Sequence, residues 1–251
     1  MASNTVLERI NDYLNAVPRW RCDVLEVGPF DVFLNRGGGN PWISYARPKR
    51  QLTGDIATHI HAVRSAMKSR GYLPRWEYIE DLHPDLTPAL AAADFPVPEM
   101  RPLMVLADSA PAPIPSTLEV RLVTSDEELI AASDVQKRGF GLPDEEDTFD
   151  LRQLRGGGMR AMAAFADGIA VSAGVHTPVN GVTELAGIAT LEGYRRRGIG
   201  AALTAALAQD AREQGCDLIF LSAGDEGVAR TYARAGFQTI AQAADTMDPA
   251  E

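Results

Sequence analysis

The sequence predicts a mixed-sheet α/β protein that consists of two similar halves. Strand-like segments alternate with segments whose apolar residues recur at helical spacing, as in Ile56, Ile60, Val63 and Met67. A Pro-rich segment at 108–117 interrupts this pattern, and alternate prolines favour an extended, weakly packed linker. Each half contains the order strand, helix, glycine, strand, helix. This order indicates a duplicated unit, although two unrelated α/β segments can share it by coincidence.

The first half, 1–107, is predicted to form one domain. A tight turn at Gly28-Pro29 and strand-like alternation predict its early strands, and helical spacing predicts its helices. In order, the expected elements are a helix at 6–14, strands at 24–27, 30–34 and 42–46, a helix at 56–70, a strand at 76–79, a helix at 86–93 and a strand at 103–106.

The second half, 118–251, is predicted to form the other domain. Thr124 or Ser125 can cap a helix with an acidic first turn, and Asp167-Gly168 and Asn180-Gly181 are typical hairpin turns. The expected elements are a strand at 118–123, helices at 126–139 and 143–154, strands at 159–166, 169–177 and 183–191, a helix at 199–213, a strand at 218–222, a helix at 226–235 and a strand at 237–241.

Charge and composition narrow the function classes. The chain has 24 Lys and Arg against 34 Asp and Glu, and its net charge of −10 disfavours nucleic acid as a partner. Its first residues lack the apolar run of a signal peptide, and no segment reads as a membrane span, so we expect a cytoplasmic protein with no membrane partner. Cys22 and Cys216 lie far apart in sequence, and no spacing of His, Cys and carboxylates predicts a metal site.

A loop between a predicted strand and a predicted helix has the features of a phosphate site. Glycines at 198 and 200 let backbone N–H groups from Arg197 to Ala201 approach an anion, and the helix start adds partial positive charge. Arg195, Arg196 and Arg197 place three full charges beside them. The chain lacks the P-loop motif, and Leu203 breaks the dinucleotide motif. A solvated turn without a ligand is the simpler alternative.

Residues 184–237 resemble the core of the GNAT superfamily of N-acetyltransferases. The family's cofactor loop, [RQ]-x-x-G-x-[GA], is matched by Arg195, Gly198 and Gly200, and its Y-x-x-x-G-F segment is matched by Tyr232 to Phe237. The resemblance implies a tandem GNAT-like acyl-CoA N-acyltransferase fold, with acetyl-CoA as the co-substrate. In that family the loop binds the pyrophosphate, and the preceding strand, here 185–191, pairs with the pantetheine arm.

The resemblance also assigns cofactor-binding residues. They are Ile188, Ala189 and Thr190 in the strand, and Arg195, Arg196, Arg197, Gly198, Ile199, Gly200 and Ala201 in the loop and the helix. Family members often carry Asn seven residues before the tyrosine, where this chain has Asp225. We assign the contact to the pantetheine or thiol region to that residue.

Acetyl transfer to an amine requires a proton donor for the departing thiolate and a base for the ammonium. The phenol of Tyr232 is the predicted acid, although the ring can also serve only in packing. Glu184, at the start of the cofactor-side strand, is the predicted base. His176, Asp225 and Glu226 remain rival bases.

The first half resembles a degenerate copy of the same family. Its corresponding loop, 47–54, lacks the paired glycines, Pro48 removes an N–H donor, and Leu90 occupies the position of the tyrosine. We therefore expect a structural role for this half.

The sequence thus predicts an N-acetyltransferase that acts on a primary amine, either a small molecule or an exposed lysine. A non-catalytic acyl-CoA sensor and an enzyme with a different phosphate ligand are the alternatives. The sequence leaves open whether the protein forms a homodimer.

Overall fold

The computed structural model describes residues 4–36, 43–49, 51–107, 118–142 and 158–248. The chain divides into two compact units. The N-terminal unit contains Met1–Leu103 together with Ile240–Glu251, and the C-terminal unit contains Met104–Thr239. Within the described ranges, no helix has both the length and the apolar character needed to cross a membrane.

The N-terminal unit is a mixed sheet with helices. Its elements are α1 (Asn4–Ala16), β1 (Cys22–Val27), β2 (Phe30–Asn35), β3 (Tyr45–Pro48), α2 (Ile56–Lys68), β4 (Arg75–Ile79), α3 (Leu86–Ala92), the first part of β5 (Glu99–Leu106) and most of the last strand, β11 (Phe237–Met247). Five of its strands follow the order β1-β2-β3-β4-β11. β3 and β4 are parallel, and the other neighbours in this row are antiparallel.

Aromatic packing forms the core of this unit. Trp76 is fully buried, and its ring lies 4.7 Å from the ring of Phe30 and 6.2 Å from that of Phe95, edge-on in both cases. The predicted apolar face of α2 is confirmed, because Ile60, Val63 and Met67 are buried in the same cluster. The aromatic rings and the apolar face of α2 therefore share one buried cluster.

The end of the chain belongs to the N-terminal unit, whereas the expected division placed all of 118–251 in the second domain. Residues Ala243–Met247 of β11 pair with Arg75–Ile79 of β4, so their backbone bonds and the side chain of Ala244 complete the first sheet and its core. β11 is also longer than the predicted strand at 237–241. The predicted linker at 108–117 lies outside the described residues.

The C-terminal unit is also a mixed sheet. Its elements are β6 (Glu119–Leu122), α4 (Asp126–Phe140), β7 (Arg160–Ala166), β8 (Ile169–His176), β9 (Val182–Thr190), α5 (Ile199–Glu213), β10 (Leu218–Ser222) and α6 (Glu226–Arg234). The strand order is β10-β9-β8-β7-β6, in which β9 and β10 are parallel and the other neighbours are antiparallel. The predicted helix at 143–154 lies outside the described residues.

Both units contain two neighbouring parallel strands connected through a helix. In the N-terminal unit these elements are β3, α2 and β4, and in the C-terminal unit they are β9, α5 and β10. This shared arrangement supports the predicted tandem organisation.

Replacing Asp248 with Ala should destabilise the N-terminal unit. The buried Asp248 carboxylate accepts two hydrogen bonds from Arg64, at 2.9 and 3.0 Å, and its loss leaves a largely buried guanidinium without its partner. We expect a loss of about 2 to 3 kcal/mol in the free energy of unfolding. Urea unfolding followed by Trp fluorescence measures it, because all three tryptophans lie in 1–103.

Asp23→Ala is the matched control for this variant. It removes a carboxylate whose ion pair with Arg36 is exposed, so its cost should stay below about 1 kcal/mol. Equal costs for the two variants would contradict a stabilising role for Asp248.

Candidate active site

An opening between two parallel strands defines the candidate site. The parallel register of β9 and β10 pairs Val182 with Leu218, Thr183 with Ile219 and Glu184 with Phe220, and among the described residues it ends there. From Leu185 onward, β9 therefore presents a backbone edge that is not bonded to β10. An extended ligand can pair with such an edge as an added strand would.

A β-bulge shapes this free part of β9. The register with β8 shifts between Ala173 and Val175, so that Gly187 and Ile188 both oppose Gly174. Gly187 has φ of +61°, and its carbonyl accepts a hydrogen bond of 2.7 Å from the Gln136 side chain. A Cβ atom at Gly187 would overlap the Gln136 amide, so both the backbone angle and the space require glycine.

The bulge also changes which way the next side chains point. Ile188 packs with the cluster that contains Leu203 and Leu207 of α5. Ala189 faces α4 instead, where a Cβ atom added to Gly139 would lie only 2.7 Å from its methyl group. The predicted pantetheine strand is thus held between two helices at close range.

The predicted phosphate loop leads directly into α5, whose bounds match the predicted helix. Gly198 is the N-cap, with φ of +78°, and no side chain caps the helix. The first hydrogen bond of the helix runs from the Ala202 N–H to the Gly198 carbonyl, at 3.0 Å. The N–H groups of Ile199, Gly200 and Ala201 consequently have no acceptor within the helix. A Cβ atom at Gly198 would meet nothing within 4 Å, so there is open space at the residue that directly precedes these donors.

The three arginines of the loop differ in their surroundings. Arg195 donates from Nε to the Thr190 carbonyl at 2.9 Å and from Nη2 to the Gly139 carbonyl at 3.0 Å. It therefore joins the loop to the end of β9 and to α4, a role that sequence reasoning did not assign to it. Arg197 lies over the ring of Tyr194 at 5.3 Å, and Arg196 is exposed.

A chain of hydroxyl groups connects the end of β9 to β8. The Ser172 hydroxyl donates to the Ala189 carbonyl at 2.7 Å and lies 2.8 Å from the Thr190 hydroxyl. A Cβ atom at Gly200 would lie 3.5 Å from that Thr190 hydroxyl, so β9 and the first turn of α5 are close here. Neither Ser172 nor Gln136 carries a sequence signal that would have identified it, because each acts through a partner distant in sequence.

The predicted acid, Tyr232, lies in an apolar environment. Its ring packs 6.3 Å from the ring of Phe237 against the cluster that α5 and β10 share. Burial raises the pKa of its phenol to about 12, because the phenolate would be poorly solvated there. The group is therefore a neutral hydroxyl that can donate a proton at any physiological pH.

The predicted base and its rivals occupy distinct positions. Glu184, half-buried, lies on β9 where the pairing with β10 ends. His176 is buried, its Nε2 lies 2.7 Å from Asp210, and burial lowers its pKa. Asp225 caps α6, because its Oδ1 accepts the Val228 N–H at 2.8 Å. Glu226 is exposed in the first turn of that helix.

His176 belongs to a buried ion cluster with Asp210 and Arg160. Arg160 donates to Asp210 Oδ1 at 2.7 Å, so that this carboxylate binds a guanidinium and an imidazole at once. These contacts indicate a structural role for His176 between β8 and α5. Within the described residues, no group of three or more His, Cys, Asp or Glu side chains is arranged to hold a metal.

The protein has an acyl-CoA N-acyltransferase fold. Three features define this class: the mixed sheet, the opening between β9 and β10, and the glycine-rich start of α5. Residues 127–237 match the model of the acetyltransferase (GNAT) family. This part of the chain matches the GNAT acetyltransferase family, in agreement with the resemblance that the sequence predicted.

Solved structures resemble the whole chain. A GCN5-related N-acetyltransferase from Kribbella flavida is 25% identical, with a TM-score of 0.82 over 98% of this chain and 96% of that chain. A GCN5-related N-acetyltransferase from Sphaerobacter thermophilus is 14% identical, with a TM-score of 0.68 over 87% of this chain and 75% of that chain.

A tandem GNAT protein from the clavulanic acid biosynthesis pathway is 18% identical, with a TM-score of 0.60 over 88% of this chain and 79% of that chain. The likeness to it and to the Sphaerobacter thermophilus protein is one of fold alone. No curated protein matches the chain.

Replacing Gly187 with Ala should destabilise the C-terminal unit. The new methyl group forces a side chain into left-handed backbone and breaks the bond from Gln136 to the Gly187 carbonyl. We expect a loss of about 2 to 3 kcal/mol, the sum of the backbone strain and one hydrogen bond. Thermal unfolding followed by circular dichroism measures it.

Gly193→Ala serves as the control, since Gly193 has an ordinary backbone angle and open space around it. This substitution should change the stability by less than about 0.5 kcal/mol. An unchanged stability in Gly187→Ala would mean that the bulge does not need glycine.

Proposed function

We propose that this chain transfers an acetyl group from acetyl-CoA to a primary amine, and that its C-terminal unit carries the site. One observation carries the proposal. Three backbone N–H groups at the start of α5 have no acceptor within the helix, the space around the preceding Gly198 is open, and the exposed Arg196 and Arg197 come directly before it in the chain. A pyrophosphate supplies the acceptor atoms that these donors lack and the negative charge that the helix start and the arginines favour.

The free edge of β9 begins after Glu184, and we propose that the cofactor's arm follows this edge and that its thioester end comes within reach of Tyr232. Backbone groups of Ile188, Ala189 and Thr190 lie along that edge and are suited to an extended arm rich in amide groups, such as pantetheine. The bulge holds the edge at a fixed distance from α4 and α5, so the arm would meet a rigid surface.

The proposed reaction moves one acetyl group and one proton. The ammonium form of the acceptor first releases one proton to solvent. The neutral amine then attacks the thioester carbonyl carbon, a C–N bond forms, and the C–S bond breaks. The nitrogen loses its proton towards Glu184, directly or through a water molecule, and Tyr232 donates a proton to the departing sulfur. Burial raises the pKa of this phenol to about 12, which keeps it protonated until the thiolate forms. The same burial makes the phenol a weaker acid, so its proton passes only to a sulfur that already carries most of the negative charge.

Capping of α6 uses only one of the two carboxylate oxygens of Asp225, so the cap is compatible with the predicted contact with the pantetheine or thiol region. We propose that its other oxygen faces the ligand.

The acceptor that we propose is cationic in its free form, either a small-molecule amine or an exposed lysine. A net charge of −10 attracts such molecules and disfavours nucleic acid. We propose a cytoplasmic enzyme, because acetyl-CoA is consumed there and no part of the reaction requires a membrane.

Replacing Gly198 with Asp should weaken acetyl-CoA binding at least tenfold. A carboxylate would then occupy the open space in front of the α5 amides and repel the pyrophosphate. Isothermal titration of the full chain with acetyl-CoA measures the affinity. Asp tolerates left-handed backbone better than most residues, so the loop should keep its conformation.

Gly198→Asn is the matched control, because it has the same size and the same tolerance of positive φ but no charge. It should bind acetyl-CoA more tightly than Gly198→Asp does. Unchanged affinity in both variants would show that the pyrophosphate does not lie on this loop.

Replacing Tyr232 with Phe should lower kcat about 100-fold and leave the Kd for acetyl-CoA nearly unchanged, because only the proton donor is removed. Thiol release with a panel of primary amines gives kcat. In the wild-type enzyme, the acid form of Tyr232 is lost only as the pH approaches its pKa of about 12, so Tyr232 should cause no alkaline fall in kcat below about pH 10.

Two outcomes would redirect this proposal. Normal turnover in Tyr232→Phe would assign the proton to another donor. Tight binding of acetyl-CoA without thiol release for any amine would favour the acyl-CoA sensor.

A further inference from the structure

A cavity in the N-terminal unit has no part in the proposed acetyl transfer. Its volume is about 820 Å³, which is within the range of small-molecule sites. We call it the α1 cavity. Its lining consists of Glu8, Asn11, Asp12, Gln51, Asp81, Leu82 and His83.

The position of the α1 cavity in the fold is one where ligands commonly bind. β3 ends at Pro48 and β4 ends at Ile79, and these two strands are parallel. Gln51 follows the first strand closely, and 80–83 follow the second directly. In open α/β sheets, the carboxyl ends of neighbouring parallel strands form the usual binding crevice.

Two buried side chains of the lining have polar atoms without a hydrogen-bond partner in the described structure. Asn11 is 4% exposed, and its Nδ2 donates to the Lys49 carbonyl at 3.1 Å, which fixes the amide orientation and leaves Oδ1 unpartnered. His83 is 5% exposed, and its Nε2 is also unpartnered. Each such atom costs about 1 to 3 kcal/mol. A ligand in the cavity would remove this cost.

The charges of the lining select the kind of ligand. Glu8, Asp12 and Asp81 contribute carboxylates, and the part of the lining that the structure describes contains no lysine or arginine. Burial, aided by the charge of Arg47, lowers the pKa of His83 to about 4, so its imidazole is neutral at physiological pH. The neutral ring can present a lone pair at Nε2, and Asn11 Oδ1 is an acceptor as well.

We propose that the α1 cavity binds a small organic cation that carries at least two ammonium groups. One ammonium group donates to Asn11 Oδ1 and His83 Nε2 inside the cavity. The other lies among the carboxylates of Glu8 and Asp12, which are exposed on α1. The N-terminal unit thereby has a binding function of its own, and this function does not depend on acetyl transfer.

A series of three ligands of equal length tests the charge requirement. Isothermal titration of the full chain uses 1,5-diaminopentane, 5-aminopentan-1-ol and 1,5-pentanediol, which differ by one charge at each step. The diamine should bind most tightly and the diol should give no measurable heat. Equal affinities across the series, or no binding of the diamine at millimolar concentration, would overturn the proposal.

Variants of the lining test whether the diamine binds in the α1 cavity. His83→Phe should weaken diamine binding at least tenfold without lowering Tm, because the Nε2 atom that it removes makes no hydrogen bond in the free protein. Asp81→Asn should also weaken binding, whereas Asp85→Asn should not. Asp85 is exposed, does not line the cavity and undergoes the same change in charge.

A variant of the other unit separates this site from the proposed acetyl-transfer site. Gly198→Asp should keep the diamine affinity of the wild-type chain. If Gly198→Asp abolishes diamine binding while His83→Phe and Asp81→Asn leave it intact, the diamine binds in the C-terminal unit and the proposal is wrong.

Discussion

The parallel ladder between β9 and β10 ends at Glu184, and the rest of the candidate site depends on this ending. A strand that stayed paired along its whole length would have no backbone groups to offer a ligand. The bulge at Gly187 and the close approach of Gly139 keep the unpaired part of β9 in place against its other neighbours. The opening is thus a rigid feature of the sheet.

Arg195 shows how an arginine of a loop can bind the protein's own backbone. Its guanidinium is bonded to the carbonyls of Thr190 and Gly139, and these bonds fix the path of the chain before α5. The N–H groups that follow are then already oriented, so little conformational entropy remains to be lost when a ligand arrives. An arginine in the family's motif can therefore serve the loop rather than the phosphate.

The sequence predicted the features that depend on local residues. The bounds of α5 and the apolar face of α2 both follow from spacing within a few residues, and the structure confirms them. The sequence did not predict the bond from Gln136 to Gly187, the hydroxyl chain through Ser172 or the cap formed by Asp225, although Asp225 itself was singled out. Most of these contacts join residues far apart in the chain, where periodicity carries no information. The membership of Ile240–Glu251 in the first unit was missed for the same reason.

The path of β11 has a consequence for how the protein is made. Pairing of Ala243–Met247 with β4 completes a sheet whose other strands were synthesised more than 130 residues earlier. During translation, the nascent first unit therefore presents the open edge of β4 until residues 243–247 have left the ribosome. Such an edge can pair with the wrong strand, and closing it late is slow. Selection on the early part of the chain should thus favour residues that keep the incomplete sheet soluble until β11 pairs with β4.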